Sequence, residues 1–151
     1  MRREIASSRY ALLAMTPEGQ PAMPKPIDYA AASPAVRAVF DDIKATRKVA
    51  DVNNFWKYLA HDPVTLKRTW ESSKKVMAPG ALDGLTKEMV YLAVSVSNGC
   101  GYCIASHGAA ARKAGMDEAI FGELMAVVGM ANETNRLAHG YRVPVDAAFD
   151  W

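Results

Sequence analysis

Apolar side chains recur along this chain at the spacing of an α-helix, and breaks in that rhythm divide it into successive helical stretches. Ser33-Pro34 supplies a cap residue followed by proline at the first helical position, a strong start signal. Val36, Val39, Phe40 and Ile43 then mark one buried face at i, i+3, i+4 and i+7. A short helix is predicted over 54–60, carrying Phe55, Tyr58 and Leu59. Asp62-Pro63 repeats the start signal ahead of Leu66, Trp70 and Met77, and Pro79-Gly80 ends that helix. Residues 86–97 are almost wholly apolar after Glu88, which predicts a helix buried on most sides. Asn98-Gly99 breaks it. The next helix is predicted over 100–114, with Gly115 just past its end. Asp117 caps a long helix reaching about residue 137, with Ile120, Leu124, Val127, Val128 and Ala131 facing inward, and Pro144 stops any continuation. No segment alternates with the period of a strand, so the fold class is all-α.

The first 32 residues break this pattern. Pro17, Gly19, Pro21, Pro24 and Pro26 prevent a long helix. Residues 1–32 are therefore expected to form an arm, either a disordered leader or an extended segment that wraps a neighbouring subunit. Residues 33–151 form the helical domain. A chain of 151 residues, half of them apolar, is long enough for one real core. The net charge of +2 and the lack of a basic patch interleaved with aromatics argue against a nucleic-acid partner. No apolar run approaches the roughly 18–20 residues of a membrane helix. The stretch from Tyr10 to Met15 is short for an export signal, and Glu4 sits in the basic segment before it. A cytoplasmic location is expected, where thiols stay reduced and paired cysteines are more often catalytic or metal-binding than structural.

The chain has two cysteines, and they belong to one constellation. Glu88, Cys100, Cys103 and His107 spell E-x11-C-x-x-C-x-x-x-H. Two thiols able to close a disulfide, with an imidazole and a carboxylate to move protons, are the parts of a thiol redox enzyme. Cys100 and Cys103 fall in the first turn of a helix, where its dipole favours thiolate; His107 lies on the same stripe. If the helices flanking Asn98-Gly99 fold back antiparallel, facing positions sum to about 197, which sets Glu88 within a turn of His107. The order Glu88, His107, Cys103 would relay a proton to or from the thiol. A glutamate in so apolar a helix also needs a partner, although the helix N-terminus alone could account for it.

A zinc site is the competing reading: Cys100, Cys103 and His107 with a fourth ligand from Glu88, His61 or His139, in a zinc-stabilised interaction protein. Tyr102 reads as packing or a wall of the site, and Ser95 and Ser97 as packing residues near the thiols. His61 reads as a helix-start residue and His139 as a solvated helix end, with no chemistry assigned to either.

The segment from Leu85 to Met116, with Ser-Asn-Gly-Cys100-Gly-Tyr-Cys103-Ile-Ala-Ser-His107 at its centre, resembles the AhpD-like alkylhydroperoxidases of the carboxymuconolactone decarboxylase superfamily. So do Ala32–Ile43, Leu59–Pro63 and Asn135–Pro144, the last being similar to the peroxidase-related branch. The resemblance implies an AhpD-like helical bundle assembling as trimers or hexamers, with sites near subunit interfaces. It implies hydroperoxide reduction without cofactor or metal, and regeneration by a dithiol or protein-disulfide reductant. By the same resemblance Cys103 attacks the peroxide, Cys100 resolves the sulfenate, and Glu88 and His107 relay protons. Some relatives carry a histidine where this chain has Tyr102. The decarboxylases of the superfamily lack the cysteine pair, so decarboxylation is not expected.

Physical reasoning on the nucleophile divides. The dipole, worth about 0.3–1 kcal/mol, favours Cys100; a base at i+4, worth about 10²–10⁴-fold, favours Cys103. Cys103 is preferred. A redox sensor of low turnover on the same fold is a further alternative. Wide apolar stripes and the proline-rich arm predict a homo-oligomer, the hexamer favoured over the trimer.

Overall fold

The computed structural model describes residues 24–149, and the descriptions below concern these alone. The chain divides into two compact units, one ending at Trp70 and the other beginning at Glu71. Among the described residues the regular structure is helical throughout: α1 (Pro34–Arg47), α2 (Asn54–Leu59), α3 (Pro63–Met77), α4 (Gly84–Ser97), α5 (Gly101–Lys113) and α6 (Glu118–Tyr141), with single 3₁₀ turns at Tyr29–Ala31 and Ala147–Phe149.

In the first unit, the Ser33 hydroxyl accepts from the Val36 amide and Pro34 opens α1. Val36, Val39, Phe40 and Ile43 form the buried stripe that their spacing predicts, packed with Leu66 and Trp70. On α2 the buried side chain is Trp56, whereas Phe55 and Tyr58 are 40% and 44% exposed. Trp56 meets Trp70 edge to face at 5.5 Å, and the Trp70 indole donates to Asp42 at 2.6 Å. This pairing outweighs the two smaller rings because the largest apolar area gains most from burial. The arm expected over 1–32 lies mostly outside the described residues. Its last part is seated on this unit: the Ile27 amide donates to the Lys57 carbonyl at 3.1 Å, and Ala32 is buried.

The second unit carries the candidate chemistry. α4 begins at Gly84, two residues before the predicted start, because the Asp83 carboxylate accepts from the Thr86 amide at 2.7 Å and from its hydroxyl. Asn98 caps its end, and Gly99 takes φ 68°, a left-handed value that reverses the chain. α5 then runs back antiparallel along α4. Gly115, at φ 114°, closes α5, and Asp117 caps α6 through the Ile120 amide. α6 extends to Tyr141, four residues past the predicted end, where Arg142 adopts a left-handed cap. Leu92, Ala111 and Met116 are the buried centre, joined by Met89, Ile104, Ile120, Phe121 and Leu124.

Two expectations about burial fail here. α4 buries Leu92 and Ser95 but leaves Val90 and Val94 54% and 53% exposed, and Val127 on α6 is 66% exposed. Within the unit α4 meets α5 and α6, and this packing leaves those valines uncovered.

Candidate active site

The turn at Asn98-Gly99 sets the register of the α4–α5 pair, and that register creates the site. His107, in the second turn of α5, meets Glu88, in the second turn of α4: Nδ1 of His107 lies 2.7 Å from Oε2 of Glu88. Both side chains are about one-fifth exposed. The carboxylate is therefore partnered, as its apolar setting requires. With a proton on Nδ1 donated to Glu88, Nε2 of the imidazole carries a lone pair. A carboxylate fixing the tautomer in this way is the usual means of orienting a histidine base.

Cys100 and Cys103 are joined in a disulfide, their Cα atoms 5.3 Å apart. Cys100 is also the N-cap of α5, and its sulfur accepts from the Cys103 amide at 3.2 Å. The sulfur thus takes the place of the serine or aspartate oxygen that usually serves there. The Cys100 amide in turn donates to the Ser95 carbonyl at 3.0 Å, which ties the turn to the end of α4. His107 follows Cys103 by one helical turn.

Tyr91 links these parts and was not singled out from the sequence. Its ring stacks on the His107 imidazole with centroids 3.6 Å apart and planes 17° from parallel. It lies three residues after Glu88 on α4, so the helical phase of Glu88 was the signal that could have found it. Tyr91 also lines a groove of about 530 Å³ whose wall includes Cys100 and Cys103. Val90 and Val94 of α4, Val76 and Met77 of α3, and Leu82 give that wall its aliphatic side chains. Lys87 is the one charged residue lining it. Its ammonium donates to the Val76 carbonyl at 2.9 Å and to the Ala78 carbonyl. Lys87 also went unnoticed, since one lysine beside Glu88 gives no sequence signal.

The remaining candidates lie elsewhere or do structural work. The Ser95 hydroxyl donates to the Tyr91 carbonyl at 2.7 Å, steadying α4 under the groove. Ser97 donates to the Ala93 carbonyl and accepts from the Asn132 amide. Tyr102 is 45% exposed. His61 belongs to the first unit, its Nε2 2.7 Å from the Lys25 carbonyl, and His139 is exposed near the end of α6. Among the described residues no three His, Cys, Asp or Glu side chains are grouped so as to hold a metal ion. No described helix is long and apolar enough to cross a membrane.

Comparison with known proteins finds relatives of the chain. Residues 63–146 match the Carboxymuconolactone decarboxylase family, a span that holds Glu88, both cysteines and His107. The chain is 32% identical over 87 residues to the alkyl hydroperoxide reductase AhpD of Azorhizobium caulinodans. That match covers 54% of this chain and 47% of the relative, so the chain spans about half the length of the curated relative it matches. The crystal structure of the alkylhydroperoxidase AhpD core from Rhodospirillum rubrum superposes with a TM-score of 0.80 at 51% identity, over 87% of this chain and 98% of that one.

Proposed function

The chain belongs to the carboxymuconolactone decarboxylase family, and from that membership together with its cysteine pair we propose a thiol-dependent peroxidase. It reduces hydroperoxides and is returned to the dithiol form by a dithiol or protein-disulfide reductant. The observation that carries this reading is the Cys100–Cys103 disulfide at the head of α5, with an imidazole one turn on that is already paired to Glu88.

The cycle runs in three steps. His107 takes the Cys103 proton, and the thiolate attacks the terminal oxygen of ROOH. The O–O bond breaks, Cys103 becomes a sulfenic acid, and the departing alkoxide takes the proton back from His107 to leave as ROH. Cys100 then attacks the Cys103 sulfur, forming the disulfide and releasing water. Two thiols and ROOH thus give a disulfide, an alcohol and water. An external dithiol reopens the pair by exchange, becoming a disulfide itself. The Cys103 amide donates to the Cys100 sulfur in the disulfide; the same hydrogen bond would stabilise negative charge on Cys100 as it leaves as a thiolate in that exchange. Tyr91 touches neither peroxide oxygen in this scheme; it is a positioning residue that holds the imidazole plane.

Variants separate the two thiols. Cys103→Ser is expected to abolish peroxide reduction and to leave no sulfenic acid for a dimedone probe to trap. Cys100→Ser is expected to consume one equivalent of peroxide and stall with Cys103 oxidised. The opposite pattern reverses the assignment. Stoichiometric zinc in the purified protein would replace the peroxidase reading with the interaction-protein one.

A further inference from the structure

The groove beside the disulfide is apolar along its length and charged at one place. Lys87, Val90, Tyr91, Val94 and Asn98 line it from α4, at i, i+3, i+4, i+7 and i+11. They form a single stripe about 16 Å long at the helical rise. The cysteines adjoin its Asn98 end, and Lys87 lies at the other.

Two neutral carbonyls, those of Val76 and Ala78, accept from the Lys87 ammonium. An ammonium has three donors, so one remains. Neutral carbonyls orient the charge without cancelling it, and among the described residues no carboxylate pairs with Lys87. A half-buried cation held at the head of an apolar groove, with a donor to spare, is built to receive an anion whose remainder is apolar.

We infer that the groove takes an amphiphilic hydroperoxide, with a carboxylate seated on Lys87 and an apolar chain laid along Val90, Tyr91 and Val94, so that a hydroperoxyl group well down the chain reaches the cysteine pair. This rests on the peroxidase reading for the reacting end, and on the groove alone for the anchored end. The volume of about 530 Å³ falls in the range of small-molecule sites, about 300–1,000 Å³, and far exceeds the need of hydrogen peroxide.

The anchored end is tested on the full-length oxidised protein by calorimetric titration with decanoate and with methyl decanoate, which differ in charge at one end. Decanoate is expected to bind roughly 5–20-fold more tightly, the range for a charge-assisted bond at a partly exposed site. Lys87→Met is expected to erase the difference by weakening decanoate alone, and Lys87→Arg to retain it. A merely structural role for Lys87 would weaken both ligands together. Equal binding of acid and ester by the parent protein, equal weakening by Lys87→Met, or no binding because a second copy covers the groove would each overturn the inference.

The reacting end is tested by kcat/KM for linoleic acid hydroperoxide, its methyl ester and cumene hydroperoxide. Preference for the acid over the ester, lost in Lys87→Met and retained in Lys87→Arg, supports the whole assignment. Turnover of cumene hydroperoxide without acid preference removes the Lys87 anchor and leaves the peroxidase reading intact. If none of the three is reduced, the peroxidase reading fails, and with it the claim on the substrate's reacting end; decanoate discrimination then stands or falls separately as evidence for the anion seat.

Discussion

Glu88 and His107 illustrate how one contact sets the chemistry of a site. Their 2.7 Å contact favours one tautomer because an ionised carboxylate can only accept there, whereas an amide can donate as well as accept and cannot take up a proton. Glu88→Gln preserves shape and removes the carboxylate. It is expected to slow thiol oxidation about 10- to 100-fold near neutral pH with an unchanged melting temperature; an unaltered pH–rate profile would return Glu88 to a helix-end role. Tyr91 is tested by paired substitutions. Tyr91→Phe keeps the stacking ring and is expected to keep kcat, whereas Tyr91→Ala frees the imidazole and is expected to lower kcat more than it raises KM. Much of the site was legible because Cys100, Cys103 and His107 share one helix, and counting along a helix needs no tertiary knowledge. Glu88 was reachable through the fold-back at Asn98-Gly99. Tyr91 and Lys87 were not read, since their roles come from what stands opposite them.

Helix boundaries were legible at Ser33-Pro34, where a cap precedes proline, at the cap Asp117, and at Gly115 just past the end of α5. The start of α4 was misplaced because Asp83 precedes Gly84, a poor helix former, and the bond to the Thr86 amide compensates for it. That bond is expected to leave a signature in acid. Hydrogen bonds from the Thr86 amide and then its hydroxyl hold the Asp83 carboxyl below its ordinary value of 3.8. A lowered folded pKa means stability that is present above the ordinary value and lost as pH falls through the folded one. The melting temperature should therefore decline more steeply below pH 3.8 for the parent than for Asp83→Asn. Packing was less legible than boundaries. Leu92 is 1% exposed at the centre of the second unit, and Leu92→Ala is expected to cost about 2–5 kcal/mol in urea unfolding.

α6 presents a stripe that the second unit does not cover. Val127, Met130, Leu137 and Tyr141 are 66%, 68%, 50% and 81% exposed, and with Thr134 they recur at alternating steps of three and four. That is the seam along which helices of separate chains pack, and apolar surface left on one chain commonly marks such contacts. Light scattering on dilute protein is expected to give a trimer or hexamer, and Val127→Glu with Met130→Glu to give a smaller species with the same helical content. A monomer from the parent chain would remove the claim. Deleting residues 1–26 is expected to convert a hexamer to a trimer if the proline-rich arm bridges subunits; an unchanged mass would leave the arm without that role.

The sulfur of Cys100 serves two masters, the redox pair and the first turn of α5. Whatever changes its bonding must change the hold on the Cys103 amide, and the influence is reciprocal by thermodynamic necessity. Each oxidation and reduction of the pair would then loosen and retighten one helix end, a mechanical echo of electron flow. The Cys103 amide proton becomes a built-in reporter: its exchange rate should differ between the oxidised and reduced protein while that of the Ala111 amide, deep in the same helix, stays put. Oxidation state could thus be read from one backbone hydrogen, with no label on either thiol.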